Sequence, residues 1–589
     1  MTRRLPKKDV VIVGLGWTGS IMALELTRAG LDVVAIERGP WRDTATDFNI
    51  TTAPDELRYA IRQEMFLRPK QETLTMRNKP DQTALPIRKF GSFLPPNGVG
   101  GGGAHWNGQT WRFLPDDFRI RSHLTERYGA AFLPENNFIQ DWPMSYDELE
   151  PCYDRFEKVL GVSGQAGNLK GEKLPGGNPF EGARSDHYPT PPMKQGYSQS
   201  LFTKAAADMG LHPFPRPSAN LSQAHTNSYG VRMGPCTYCG FCEWFGCANY
   251  SKSSPQTCVL PALMRQRNFE CRTDSEVTKV NLSPDGKRAT GVTFVDSEQN
   301  EWEQPADLVL LCAFSFFNVR LMLLSGIGKP YDPASGEGVV GRNYAYQVGA
   351  GAVGHFDADV HFNPFAGAGS LGVALDDFNS DNFDHGPHGF VGGASITNAY
   401  TNGRPISYHP VPPGTPGWGA KWKRAVHETY NRTTNVGAQG SVMAYRDSYL
   451  DLDPTYKDPL GRPLLRMTFD YHPNEQKMAA FMVARSTEII KRMGAKVISP
   501  NNLRVPYTVV PYQTTHNTGG SIIGNDPTTS ALNRYGQSWD VPNVFVAGAS
   551  LFPQNAGYNP TGTVGALCFW TLDAIQNQFL KSEAPLVSL

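Results

Sequence analysis

The chain has 589 residues, 40% of them apolar, with 55 basic and 55 acidic side chains. That balance excludes a phosphate-tracking nucleic-acid binder, which needs a net basic face, and a strongly electrostatic membrane anchor. No stretch reaches the roughly 18 apolar residues of a membrane helix, and the length suits several domains or one large interleaved pair.

The chain begins MTRRLPKKDVVIVGLGWTGS. A basic head precedes an apolar run, but the run covers only residues 10–13 and no small-residue cleavage site follows. We read it as folded structure rather than a secretory signal. Residues 9–13 form a β-branched run, the mark of a buried parallel strand. Gly14-x-Gly16-x-x-Gly19 follows, then helical apolar spacing, then a second strand ending at Glu37. In such a βαβ unit the first glycine allows a tight turn. The second admits a pyrophosphate, and the third lets helix and strand touch. The helix N-terminus offers free N–H groups, and the acidic residue accepts from ribose hydroxyls. This motif alone does not separate FAD from NAD.

Residues 161–192 are rich in Gly, Pro and Lys and are expected to form a long surface excursion or an interface loop. Four of the nine cysteines then fall together as Cys236-x2-Cys239-x2-Cys242-x4-Cys247. One tight group in a long chain reads as a metal site rather than a disulfide framework. Its first three members have ferredoxin spacing, which favours iron–sulfur. Zinc is the alternative, although its cysteine pairs usually stand far enough apart to close a loop. Trp244 and Phe245 inside this loop suit either a docking face or core packing. No CxxCH occurs, so no c-type haem is expected on this chain, and electrons must leave for another polypeptide.

Four further segments carry a family resemblance. They are Gly100-Gly-Gly-Gly-Ala-His105-Trp106-Asn107-Gly108, LLSGIG at 323–328, Gly341-Arg342-Asn343, and VPNVFVAGAS at 541–550 followed by Asn559-Pro560-Thr561-Gly562. Together they resemble the glucose–methanol–choline (GMC) oxidoreductases over nearly the whole chain. The resemblance implies an α/β fold in which a Rossmann-like FAD-binding domain is interleaved with a substrate domain built on an antiparallel sheet. The expected FAD segments are 1–115, 225–345 and 505–589, and the expected substrate segments are 116–224 and 346–504. Implied FAD contacts are Gly14, Gly16, Trp17, Thr18, Gly19, Glu37, Arg38, Gly102, Gly103, His105, Trp106, Asn107, Gly108, Val277, Gly548, Ala549, Asn559, Pro560 and Thr561. Many family members carry Asp where Gly548 stands.

Alcohol oxidation by a flavin needs a base near working pH, and histidine suits that role. The resemblance places the base at His516 and a hydrogen-bond partner for the substrate oxygen at Asn559. Residues 561–563 open the last helix, whose N–H groups would face the flavin's N1–C2=O edge.

The run GPCTYCGFCEWFGC, the His105-Trp106 pair and the segment at 450–470 resemble the flavoprotein subunits of bacterial gluconate 2-dehydrogenases. Their relatives oxidise 2-ketogluconate, sorbitol and fructose. This closer resemblance implies a sugar acid or polyol substrate and FAD joined covalently to His105; a plain contact is the alternative. It favours a [3Fe–4S] cluster over [4Fe–4S]. It also implies a small export subunit, a multihaem cytochrome c subunit and quinone. The implied location is the periplasmic face of the inner membrane, with the cytoplasm as alternative. An O2-using oxidase and a non-catalytic electron-transfer subunit are rival readings; His516 and Asn559 speak against the second.

Overall fold

A computed structural model describes residues 2–48, 65–91, 93–399 and 408–588. Strand β1 (Lys8–Val13), helix α1 (Trp17–Arg28) and strand β2 (Val33–Ile36) form the expected βαβ unit. The last four residues of β1 and all of β2 are buried, which is what a parallel strand covered on both faces requires. Gly14 turns the chain with φ +91°, and a Cβ on Gly19 would lie 2.0 Å from the Gly14 carbonyl oxygen. Helix and strand therefore meet with no space for any side chain.

The chain returns to this sheet much later. Strand β3 (Phe269–Arg272) pairs β2 in parallel. Strands β4 (Glu276–Leu282), β5 (Ala289–Val295) and β6 (Glu301–Leu311) form an antiparallel meander. Strand β6 serves two partners. Its first half pairs β5, and its second half runs parallel to β1. Helix α2 (Ser315–Ser325) follows it.

A second sheet comes from the middle of the chain: β7 (Val348–His355), β8 (Gly372–Leu375), β9 (Ala394–Ala399), β10 (Thr433–Gly440) and, after helix α3 (Pro473–Arg492), β11 (Val497–Asn501). The order is β11-β7-β10-β9-β8, antiparallel throughout, with Phe214–Pro215 added at the β8 edge. Helix α3 covers one face. A Cβ on Gly440 would lie 2.7 Å from Met478 Cε, and one on Gly354 would lie 2.8 Å from Ile490 Cγ1. Because strand side chains alternate, Val353, Thr397, Asn435 and Gln439 face the other way. Strand β12 (Val544–Val546) and helix α4 (Thr561–Ala574) then close the first sheet beside β6. The architecture is α/β with two interleaved sheets sharing one hydrophobic core.

Residues 161–192 lie partly at the surface and partly in the core. Ser163, Arg184 and Thr190 are buried, and Arg184 forms an ion pair with Glu157. The segment's glycines let backbone fold tightly on backbone: a Cβ on Gly167 would lie 2.1 Å from the Asn178 carbonyl oxygen. Gly167, Gly177 and Gly182 mark close approach, while Gly171 and Gly176 are exposed. Among the described residues no helix is long and apolar enough to cross a membrane.

Replacing Gly19 by Ala should destabilise the fold by about 1–3 kcal/mol, because the obstacle is backbone and cannot rotate away. A thermal melt checks this, with Gly349→Ala as control, since a Cβ there meets nothing within 4 Å. Equal melting temperatures for the two variants would show that the contact is not limiting.

Candidate active site

A cavity of about 610 Å³ lies between the two sheets. At one end the N-terminus of α1 opens into it. Gly16 precedes the helix with no side-chain cap, and Gly16, Trp17 and Thr18 line the cavity. Their uncapped N–H end suits a pyrophosphate. The second glycine loop faces the first so closely that a Cβ on Gly101 would lie 3.1 Å from Gly16 Cα. Glu37, at the end of β2, also lines the cavity; its oxygens accept from the N–H groups of Leu15 and Gly39, both at 2.9 Å. Arg38 is paired with Glu72 and lies over the Phe317 ring at 4.2 Å. Val277, Ala549, Pro560 and Thr561 line the same cavity, as do Gly102, Trp106 and Asn107. The donor set and shape fit a dinucleotide.

Three expected contacts act differently. Gly19 lies in the first turn of α1, against the Gly14 turn and Ile12. A Cβ on Gly103 would lie 2.5 Å from Trp17 Nε1, and one on Gly108, at φ +95°, 3.0 Å from Asn220 Oδ1. None of the three lines the cavity; each keeps a neighbour close to it. Gly548 does line it, with φ +128° and ψ −172°, a region open essentially to glycine alone. An Asp at this position would strain the backbone as it runs here.

At the other end stands His516. Its Nδ1 faces Gln347 Oε1, while Gln347 Nε2 donates to the carbonyls of Ala556 (2.8 Å) and Tyr558 (2.6 Å). Carbonyls only accept, so the Gln347 amide can point only one way. Its oxygen is placed to accept from Nδ1–H, which leaves the Nε2 of His516 as the acceptor of the ring. Asn559 Nδ2 lies 3.1 Å from that nitrogen. Gln439, from β10, also donates to Gln347 Oε1. Burial pushes the His516 imidazole down to about 3, so it is neutral at ordinary pH. The arrangement can take a proton at Nε2 while the Asn559 amide donates to the same substrate oxygen. Helix α4 begins just beyond, without a side-chain cap, and Asn559, Pro560 and Thr561 line the cavity.

His105 is buried, lines the cavity, and its Nε2 has no hydrogen-bond partner among the described residues. Burial, helped by Lys252, pushes its imidazole down to about 3. A neutral ring nitrogen with a free lone pair suits either a contact or a covalent link to a flavin.

The cysteine loop is fastened to this region. Trp244 N–H donates to the His105 carbonyl at 2.7 Å. Lys252 Nζ donates to the carbonyls of Ala104, Trp106, Cys242 and Phe245. The thiols of Cys236, Cys239 and Cys242 are pushed up, chiefly by burial, with neighbouring members of the loop adding to the rise. The expected ligand set is nevertheless not preformed. Among the described residues no group of three or more His, Cys, Asp or Glu is placed to hold a metal ion. Local donors occupy the sulfurs instead: Tyr238 N–H to Cys236, Asn220 Nδ2 to Cys242 and Lys252 N–H to Cys247, at 3.4–3.5 Å. A tetrahedral zinc needs convergent sulfurs, and these do not converge. Phe245 is core, buried against Phe241, while Trp244 meets Tyr512 edge-on at 4.8 Å.

Comparison with known proteins agrees with this geometry. Models of the GMC oxidoreductase family match residues 137–348 and 444–568. The chain is 51% identical to the gluconate 2-dehydrogenase flavoprotein of Pantoea cypripedii over 100% of its own length and 96% of that protein. The chain belongs to the GMC oxidoreductase family. It is also 26% identical to the fructose dehydrogenase large subunit of Gluconobacter japonicus, over 98% of this chain and 99% of that one. Pyridoxine 4-oxidase from Mesorbium loti shares the fold, with a TM-score of 0.59 at 16% identity over 97% of this chain and 100% of that structure. As a GMC oxidoreductase the protein is an FAD-dependent alcohol dehydrogenase, and FAD supplies the hydride acceptor when bound. Gln347, Gln439, Arg216 and Lys252 were not singled out by sequence reasoning. None lies in a recognisable motif, and each gains its meaning only from segments far away in the chain.

His516→Ala should keep FAD and slow anaerobic flavin reduction by about 10²–10⁴-fold. Gln347→Leu removes the acceptor that holds Nδ1–H and should slow the same step by about 10- to 100-fold. The neutral His516 of the wild type should give kcat/KM no acid limb near pH 6.5. A limb there that vanishes in His516→Ala would contradict the burial argument.

Proposed function

We propose that this chain is the catalytic flavoprotein subunit of a dehydrogenase that oxidises a secondary alcohol of a sugar acid, with gluconate to 2-ketogluconate as the preferred reaction. The observation that carries the reading is the His516 arrangement: a neutral imidazole held by Gln347 at Nδ1, with its Nε2 beside the Asn559 amide in the FAD cavity. Full-length similarity to a gluconate 2-dehydrogenase flavoprotein supports the substrate class. 2-Ketogluconate, sorbitol and fructose are the competing substrates.

The proposal includes FAD joined through His105, supported by its free, buried Nε2. It also includes a [3Fe–4S] cluster held by three of Cys236, Cys239, Cys242 and Cys247; ligation by all four would permit [4Fe–4S]. In a cluster each cysteine holds its own iron, so the sulfurs need not converge on one point. The spacing and the electrostatic influence of the thiols on one another support it. Electrons would leave on the side of this loop, toward a multihaem cytochrome c partner and quinone. A small export subunit would complete an assembly on the periplasmic face of a bacterial inner membrane.

Anaerobic flavin reduction across gluconate, 2-ketogluconate, sorbitol, fructose and glucose tests the reaction. Gluconate should bleach the flavin fastest, and bleaching by none of the five would refute the reading. Peroxide formation in air would favour an oxidase instead. The same preparation should keep its yellow colour in an acid precipitate and should contain iron and acid-labile sulfide, which Cys239→Ser loses. Flavin released into the supernatant would refute the His105 link, and iron-free wild-type protein the cluster.

A further inference from the structure

Four arginines line the cavity: Arg38, Arg216, Arg320 and Arg462. Three are neutralised. Arg38 pairs with Glu72, Arg320 with Glu72 and Asp458, and Arg462 with Glu276 and Asp458. Arg216 has no such partner among the described residues. Its side chain is buried, at 2% exposure, and its Nε and Nη1 have no hydrogen-bond acceptor. Glu243, also on the cavity wall, is the charged group among the described residues that favours its protonated form, and the two form no ion pair. Burial lowers the Arg216 guanidinium to about 10, so it remains a cation at neutral pH. A buried cation without a counter-charge is strongly destabilising, and a wall of the substrate cavity is where a ligand can supply that charge.

The surroundings are built to hold this side chain. Arg216 follows the edge strand Phe214–Pro215, and its N–H donates to the Gly372 carbonyl at 3.1 Å. Gly372 makes the space: a Cβ there would lie 2.7 Å from Arg216 Cδ and 2.9 Å from Nη1. The edge strand is also clamped to the catalytic segment. Phe214 meets Trp111 edge-on at 6.2 Å, and Trp111 stacks on Tyr558 at 4.8 Å, one residue before Asn559. Thr397, Asn435 and Gln439, on the open face of the second sheet, supply neutral partners for hydroxyls in the same cavity.

We propose that Arg216 binds the carboxylate of the substrate, and that the enzyme thereby prefers a polyhydroxy acid to its neutral counterpart. A guanidinium offers two parallel N–H donors that match a carboxylate, and such charge-assisted pairs are the strong hydrogen bonds. The inference deepens the sugar-acid reading above and rests on it.

The test uses the holoenzyme, with gluconate and the neutral, near-isosteric gluconamide as substrates. Arg216→Gln should raise the half-saturating gluconate concentration about 10- to 100-fold and leave gluconamide within about twofold, with Arg216→Lys in between. Gluconate should raise the melting temperature of the wild type and not that of Arg216→Gln, a readout independent of turnover. Equal losses on both substrates would assign Arg216 a structural role and overturn the proposal. Unchanged gluconate kinetics would overturn it while leaving the sugar-acid reading intact. If the wild type is reduced by neutral polyols and by no sugar acid, both fall together.

Discussion

The Gln347 side chain is the joint on which the active site depends. Its amide N–H groups bind the carbonyls of Ala556 and Tyr558, and its oxygen takes His516 and Gln439. Four stretches of chain, separated by up to 211 residues, are thus held by one buried amide. Leaving such a group unsatisfied costs about 1–3 kcal/mol, so this contact holds the position and favours one tautomer of His516. Neighbouring contacts repeat the pattern. Tyr344 Oη donates to Asn517 Oδ1 at 2.6 Å, and Ser315 Oγ to the Asn517 carbonyl at 2.8 Å. The His516 segment has no regular secondary structure of its own; its rigidity is borrowed from both sheets.

Two helix N-termini face one cavity, and neither is capped by a side chain. An uncapped, partly buried helix end is costly unless something accepts from its N–H groups. The N-terminus of α1 stands beside the first glycine loop, and that of α4 stands beside Asn559 and His516. The glycines between them are spacers. Gly16 and Gly101 let two loops approach to backbone contact, and Gly19 seats the helix on its strand. The same economy operates in the second sheet, where Gly354 and Gly440 admit α3 on one face and leave the other face for substrate.

Charge is distributed by the same logic. The two cavity histidines are kept neutral by burial, and most cavity arginines are paired. Lys252 is a buried cation held by four carbonyls, and it ties the flavin loop to the cysteine loop. Burial lowers its affinity for a proton, and the nearby thiols oppose that shift. Any negative charge that develops at this junction would meet a fixed positive partner. Among the described residues Arg216 is the one cavity arginine without an ion-pair partner.

The sequence by itself determined the dinucleotide half. A βαβ unit is local, so β-branched runs, glycine spacing and a terminal acid within residues 8–37 specify it without reference to the rest of the chain. The identities of His516 and Asn559 were also legible, through segments that resemble a family. The tertiary structure alone decided what joins them. Gln347 stands just before the second sheet's first strand, Gln439 lies near the end of another, and Arg216 lies at its edge; no spacing along the chain announces that Gln439 and Arg216 line one cavity or that Gln347 braces His516 beside it. It also decided that residues 161–192 are partly core, because a glycine-rich stretch reads the same whether its backbone meets water or other backbone. The cysteine loop marks the limit in the other direction. Its spacing is a local signal, but where its sulfurs point depends on donors from Asn220 and Lys252, which lie outside the motif. Local patterns fix what a segment can do, and contacts between distant segments fix what it does, because hydrogen bonds and buried charges answer to distance in space rather than along the chain.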